Sequence, residues 1–147
     1  MSANPTFGTR LIGQTEKTLN AILDRQLAGT GLTEPQWVTL TLAVMSGGPV
    51  ERGQFAARVA DAVKLSDADV QARISELAAA ELLDAAGDDG STIAVTDAGK
   101  QLHARIRGVV AEITERLWGD LPTEDLATAG RVLATVLERA NAELAQV

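Results

Sequence analysis

Apolar residues recur at intervals of three and four positions along most of this chain, and this spacing predicts a mainly helical protein. Thr33, Pro35 and Gln36 form a capping-box pattern, in which a threonine side chain and a glutamine side chain each bind a backbone N–H at a helix start. Gly29, Gly31 and Gly119 follow apolar stripes and are typical helix ends. The predicted helices cover residues 5–28, 34–46, 51–63, 66–81, 96–118 and 122–146.

Between the fourth and fifth helices the pattern changes to two short extended segments, residues 82–86 and 92–95. The residues that separate them are glycine, aspartate and serine, which are typical of tight turns. This pattern predicts a β-hairpin with a polar tip, in which Asp88 and Asp89 act as turn formers. The fold class is therefore mainly α with a small β-hairpin.

The fourth predicted helix has two different sides. Val70, Ile74 and Leu77 lie on the side that faces inward, because a helix advances about 100° per residue. The opposite side is small and neutral, and it contains Ala68, Ala72, Ser75 and Ala79, flanked by Gln71 and Glu76.

The long helices at both ends of the chain carry Leu and Val stripes that are richer than a small central unit can cover. Burying these stripes requires the terminal helices to pack together and against a second copy. The sequence therefore predicts a homodimer.

Three segments resemble the winged helix-turn-helix of the MarR family of bacterial transcription regulators. The run from Leu32 to Val38 is similar to the opening of the family's second helix, and Val70 to Leu83 is similar to its recognition helix and first wing strand. The run from Asp88 to Gly99 is similar to the wing and the start of the long dimer helix.

The resemblance implies a single MarR-like domain, in which residues 32–96 form the winged helix-turn-helix lobe and residues 5–30 and 97–146 form dimerisation helices. It also implies that the two fourth helices enter successive major grooves of a pseudo-palindromic double-stranded DNA site. A small, often aromatic or phenolic ligand would bind between the lobe and the dimer helices. The implied activity is that of a ligand-responsive transcription regulator, in most cases a repressor.

The side chains on and near the fourth helix include candidate DNA contacts. Gln71 can pair with an adenine edge, and Ala68 and Ala72 can contact thymine methyl groups. Arg73 either contacts DNA or remains a surface charge that is solvated or paired with Asp69. The predicted DNA-binding residues are Arg52, Arg58, Lys64, Ser66, Ala68, Gln71, Ala72, Arg73, Ser75 and Ser91.

The acidic charge balance of the chain weakens the expectation of DNA binding. The chain has a formal charge of −7, and residues 51–100 contain five basic and ten acidic residues. DNA binding normally uses basic side chains that displace phosphate counterions. We therefore expect modest affinity with a shallow salt dependence. The rival hypothesis is a MarR-like scaffold with weak or lost DNA binding that acts as a ligand-binding or protein-interaction module, and the lack of a basic residue in the wing tip favours it.

Two aromatic residues are candidates for a ligand pocket. Trp37 either lines a pocket between the lobes or belongs to the core, and His103 is either a pocket residue or a structural histidine. Arg105 and Arg107 can attract an anionic ligand or pair with neighbouring glutamates. The expected ligand is accordingly small and aromatic or anionic.

Other functions find little support in the sequence. The chain has no cysteine and one histidine, which excludes disulfides, thiol nucleophiles and the usual closed zinc sites. No phosphate-binding glycine loop or hydrolase motif is present, so we predict no enzyme activity, metal or cofactor. A small helical enzyme would need paired carboxylates, such as Asp84 with Asp88. No signal peptide or membrane span is visible, and the expected location is the cytoplasm.

Overall fold

The computed structural model describes residues 5–86 and 90–146. Within them the chain forms two compact units, one up to Val110 and one from Ala111 onward. No helix among the described residues is both long enough and apolar enough to cross a membrane. The elements in chain order are α1 (Thr9–Leu27), α2 (Glu34–Met45), β1 (Val50–Glu51), α3 (Arg52–Val63), α4 (Asp67–Ala79), β2 (Leu83–Ala86), β3 (Thr92–Val95), α5 (Asp97–Trp118) and α6 (Thr123–Ala145).

The predicted hairpin is confirmed and extended by a third strand. β2 pairs antiparallel with β3, and β3 pairs on its other edge with β1 in the order β1-β3-β2. Val50 lies opposite Ile93, and the Arg52 backbone N–H donates to the Ser91 carbonyl oxygen at 2.7 Å. The sequence analysis assigned residue 51 to the third helix and missed β1, because two residues are too few to establish a strand pattern.

The core of the first unit lies between α2, α3, α4 and the sheet. Phe55, Val59, Val70, Ile74 and Ile93 are fully buried there. The inward side predicted for the fourth helix is thereby confirmed, and the burial of large side chains on four elements fixes the orientation of α4.

The helix starts follow the capping signals in the sequence. Gln36 N–H donates to Thr33 Oγ1 at 3.4 Å, and Thr33 N–H donates to Gln36 Oε1 at 2.9 Å, so the predicted capping box is present. Ser66 Oγ accepts a hydrogen bond from Asp69 N–H at 3.1 Å at the start of α4. These caps satisfy backbone donors that would otherwise have no partner in the first turn.

Thr96 and Gly99 join the base of the wing to α5. Thr96 Oγ1 donates to the Glu81 carbonyl oxygen at 2.7 Å and accepts from Gly99 N–H at 3.0 Å. A Cβ at position 99 would collide with the Leu82 carbonyl oxygen. Only glycine therefore allows α5 to approach the start of β2 this closely.

The second unit contains the end of α5 and all of α6. None of the α6 residues is buried, and the exposed stripe includes Val132, Leu133, Val136 and Leu137, each at least 38% exposed. In the first unit, Phe7 and Leu11 near the start of α1 are also exposed. The apolar stripes predicted for the terminal helices are present; Leu27 and Ile106 are buried, whereas the stripe of α6 and the start of α1 remain exposed in a single chain.

Candidate nucleic-acid interface

The outer face of α4, formed by Ala68, Gln71, Ala72 and Ser75, lies opposite its buried side. Ala68 and Ser75 are exposed, whereas Gln71 and Ala72 are half-buried. The buried side holds the helix in the core, so the outer face is presented on a rigid support. The helical spacing predicts Ala68, Ala72 and Ser75 on the outward side with Gln71 at its flank, and the structure has this arrangement.

Arg52, the first residue of α3, reaches across to this face. Its Nε–H donates to Gln71 Oε1 at 2.7 Å, and its Nη2 donates to Ser75 Oγ at 3.0 Å. Residues 71 and 75 are one helical turn apart. The Arg52 guanidinium therefore lies along the outer face of α4, a contact between two helices that sequence spacing alone did not predict.

Arg73 has a carboxylate partner. Glu76 accepts from Arg73 through both oxygens and also accepts from Gln36 Nε2 at 2.8 Å. The hydrogen bond to Glu76, and then its charge, raise the pKa of Arg73. Hydrogen bonds from Arg73 and then Gln36 lower the pKa of Glu76. The sequence analysis offered Asp69 as the partner, and the structure places Glu76 in that role.

The two remaining cations of α3 have different surroundings. Arg58 Nη1 donates to Ser46 Oγ at 3.2 Å and so links α3 to the end of α2. Lys64 ends α3 in the left-handed region, with φ 57°, and its ammonium lies 3.4 Å from Asp61 Oδ1. Both side chains of the Lys64–Asp61 pair are largely exposed, so this pair is screened by solvent.

These contacts divide the cations into two groups. Arg73 and Lys64 each face a carboxylate, whereas no carboxylate among the described residues forms an ion pair with Arg52 or Arg58. Arg52 and Arg58 therefore keep their charge available for an anionic partner. The predicted phosphate contact Ser66 uses its hydroxyl as the α4 cap.

At the wing, Ser91 is exposed, and its carbonyl oxygen accepts from the Arg52 backbone. The predicted turn formers Asp88 and Asp89 lie outside the described residues. Asp84, which a small helical enzyme would pair with Asp88, is exposed on β2.

The sequence matches no family model and no curated protein. The fold, in contrast, matches solved structures. A MarR-family transcriptional regulator from Rhodococcus sp. RHA1 is 20% identical, with a TM-score of 0.70 over 86% of this chain and 89% of that chain. CouR from Rhodococcus jostii RHA1, bound to p-coumaroyl-CoA, is 19% identical, with a TM-score of 0.73 over 86% and 88%.

BpsR of Bordetella bronchiseptica, whose DNA binding is regulated by 6-hydroxynicotinic acid, is 21% identical. Its TM-score is 0.68 over 91% of this chain and 99% of that chain. These matches agree with the winged lobe described above. The chain has the winged-helix fold of the MarR family. In this MarR fold, α3 and α4 form the helix-turn-helix, and β2 and β3 form the wing.

The two aromatic candidates of this MarR fold are in direct contact. The Trp37 and His103 rings are stacked, with centroids 4.9 Å apart and planes 20° apart. Both residues are buried beside Leu27 and Ile106. His103 Nε2 is buried without a hydrogen-bond partner among the described residues. Burial lowers the pKa of His103, and the charge of Arg107 lowers it further.

A cavity of about 210 Å³ in the same MarR lobe lies elsewhere, between the end of α2, β3 and the start of α5. Its walls are mostly apolar, with Lys100 as the one cation among the lining residues, and neither Trp37 nor His103 lines it. The predicted pocket residues therefore form a packed aromatic cluster. Among the described residues, no group of three or more His, Asp or Glu side chains is placed to hold a metal ion.

Proposed function

We propose that this chain is a homodimeric, DNA-binding transcription regulator that acts as a ligand-responsive repressor. Each subunit places the outer face of α4 in the major groove of one half of a pseudo-palindromic site. The observation that carries this proposal is the outer face of α4, opposite its buried side, with the guanidinium of Arg52 lying along it and no carboxylate among the described residues paired with that guanidinium. Solved structures with the same fold that are regulators rather than enzymes support it.

The exposed stripe on α6 supports the proposed homodimer. Val132, Leu133, Val136 and Leu137 repeat at helical spacing, so they form a continuous apolar surface on one side of the helix. Contiguous apolar surfaces of this kind mark protein contacts. A second copy supplies the same stripe, and the two-fold symmetry of a dimer matches the symmetry of the proposed DNA site.

A small aromatic ligand completes the proposal. CouR and BpsR, which share the fold, are described with p-coumaroyl-CoA and 6-hydroxynicotinic acid respectively. Here an aromatic acid would bind only if the stacked Trp37 and His103 rings moved apart, and it would then form a hydrogen bond with His103 Nε2, which has no partner among the described residues. Such a ligand changes DNA affinity only if it binds more tightly to one spacing of the two α4 helices of the dimer than to another.

The test of DNA binding is a mobility shift with the DNA that lies upstream of the chain's own coding sequence. We expect a retarded complex at low salt and none with a scrambled fragment of the same composition. Arg58→Ala weakens the complex, because Arg58 is exposed and forms no ion pair among the described residues, so its charge can bind phosphate. Failure to retard any neighbouring fragment at low salt would overturn the proposal.

The second candidate function is a MarR-like module that binds a ligand or a protein and has weak or no DNA binding. The carboxylates that neutralise Arg73 and Lys64 favour it. In the same experiment this module would show equal and weak retardation of the upstream fragment and the scrambled fragment.

A further inference from the structure

The Arg52 side chain lies against the outer face of α4 although Arg52 belongs to α3. Its two bonds run to Gln71 and Ser75, which are one turn apart on that face. We propose that Arg52 is the specificity-determining residue of the interface and reads a guanine base, with Gln71 and Ser75 as the residues that hold it in position. The proposal rests on the DNA-binding function given above.

The donors of Arg52 fit this role. A guanidinium has five N–H groups in a planar fork. Gln71 takes the Nε–H and Ser75 takes one hydrogen of Nη2, which leaves both hydrogens of Nη1 and the second hydrogen of Nη2. Among the described residues nothing binds the end of the fork, and a paired Nη1 and Nη2 match the O6 and N7 acceptors of guanine in the major groove.

Gln71 takes on a different role in this arrangement from the one the sequence suggested. A glutamine that reads adenine uses both ends of its amide, accepting from N6 and donating to N7. Here the Oε1 end of Gln71 accepts from Arg52. The contact assigns Gln71 to orienting the guanidinium, and base recognition passes to Arg52.

The position of Arg52 is also fixed by its backbone. Its N–H donates to the Ser91 carbonyl oxygen beside the β1–β3 pair, and its side chain is half-buried. Ordering a long side chain usually costs free energy on binding. Because Arg52 is already held in place, DNA binding adds little of this cost. Arg58, by comparison, is exposed and bound to Ser46 on α2, so it suits a phosphate contact that is independent of sequence.

The experiment is selection of the full-length protein on a pool of randomised operators, followed by sequencing. The wild type and the variants Arg52→Ala, Gln71→Ala and Arg58→Ala are compared, with thermal unfolding as a check on folding. For the wild type we expect one guanine per half-site preferred by about tenfold or more. Arg52→Ala abolishes that preference, and Gln71→Ala weakens it at the same position. Arg58→Ala lowers affinity for all sequences without changing their ranking.

The double variant Arg52→Ala/Gln71→Ala tests the coupling, because it should show the same preference at that position as Arg52→Ala alone. Unchanged ranking in Arg52→Ala would overturn the inference while DNA binding stands. Loss of an adenine preference at a separate position in Gln71→Ala would overturn the assigned role of Gln71. Absence of any DNA binding by the wild type would overturn the proposed function, and the inference with it.

Discussion

Arg73 donates to both carboxylate oxygens of Glu76, with Nε 2.6 Å from Oε1 and Nη2 3.0 Å from Oε2. Gln36 on α2 binds the same carboxylate and so holds it beside Arg73. A cation at the edge of the proposed DNA interface is thereby engaged before any phosphate arrives. This pair is partly open to solvent, since the Arg73 side chain is half-buried and Glu76 is exposed, so it adds little to stability. It does determine which anion Arg73 contacts.

Glu76→Gln is therefore expected to strengthen DNA binding. The variant frees the Arg73 guanidinium for a phosphate in each subunit, and affinity at low salt should rise by about three- to tenfold. The slope of log K against log salt should steepen by about two units for a dimer. Anisotropy titrations at several salt concentrations measure both effects.

Glu112→Gln, on the exposed surface of α5, is the matched control because it changes the net charge equally. Its affinity should rise much less than that of Glu76→Gln. Equal increases in the two variants would show that net charge, and not release of Arg73, controls binding.

His103 should make stability depend on pH. Burial, and then Arg107, lower its pKa in the folded state, so the unfolded chain binds more protons below the ordinary value of about 6.5. The free energy of unfolding should therefore be highest above pH 6.5 and fall as the pH decreases toward the lowered pKa. Denaturant unfolding at pH 8, 6.5 and 5.5 measures this slope.

His103→Phe keeps a ring against Trp37 and removes the titrating nitrogen. This variant should lose the slope between pH 6.5 and 5.5. It should be as stable as the wild type or more stable, by about 1 kcal/mol, since the buried Nε2 has no hydrogen-bond partner in the described part of the chain. Glu34, whose pKa is raised by burial, contributes a slope of opposite sign in both proteins. Identical slopes in the two proteins would contradict the assignment to His103.

Gly99 and Gly108 on α5 provide a matched pair of glycine-to-alanine changes. Gly99→Ala forces its methyl against the Leu82 carbonyl oxygen and should lower the free energy of unfolding by about 1–3 kcal/mol. A Cβ at Gly108 meets no atom within 4 Å, so Gly108→Ala should raise stability by about 0.5–1 kcal/mol through helix propensity. Thermal unfolding checks both values, and a neutral Gly99→Ala would show that α5 can shift away from the wing.

The apolar stripe of α6 leads to a prediction about assembly. Leu137 is 60% exposed, and Leu137→Lys should convert the proposed dimer to a monomer at micromolar concentration. Thr135 lies on the opposite side of α6 by helical spacing, and Thr135→Lys should leave the dimer intact. Sedimentation equilibrium distinguishes the two. A wild type that is monomeric at all concentrations would contradict the homodimer.

Helices whose apolar residues repeat over several turns could be predicted from the sequence. Contacts between separate elements could not. Val70, Ile74 and Leu77 predicted the buried side of α4 because helical periodicity records which side faces the core. Strand β1 was missed, since its two residues gain their structure from pairing with β3.

The same limit applies to the candidate site, where positions on one helix could be predicted and contacts between helices could not. The outer face of α4 followed from periodicity, but spacing alone permitted either Asp69 or Glu76 as the partner of Arg73. A hydrogen bond from Gln36, 40 residues away in sequence, orients Glu76. The Arg52 contact with Gln71 also joins separate helices, and the one signal for it was the position of Arg52 at the start of α3.

In the proposed complex the outer face of α4 lies against DNA. A comparison of Ser75→Glu with Ala104→Glu, two exposed helical positions that gain the same charge, tests this placement. Anisotropy with the upstream DNA should show that Ser75→Glu lowers affinity by more than about tenfold, because it adds a carboxylate to a surface that meets phosphates. Ala104→Glu should stay close to the wild type. Equal affinity of Ser75→Glu and wild type for that DNA would contradict the claim.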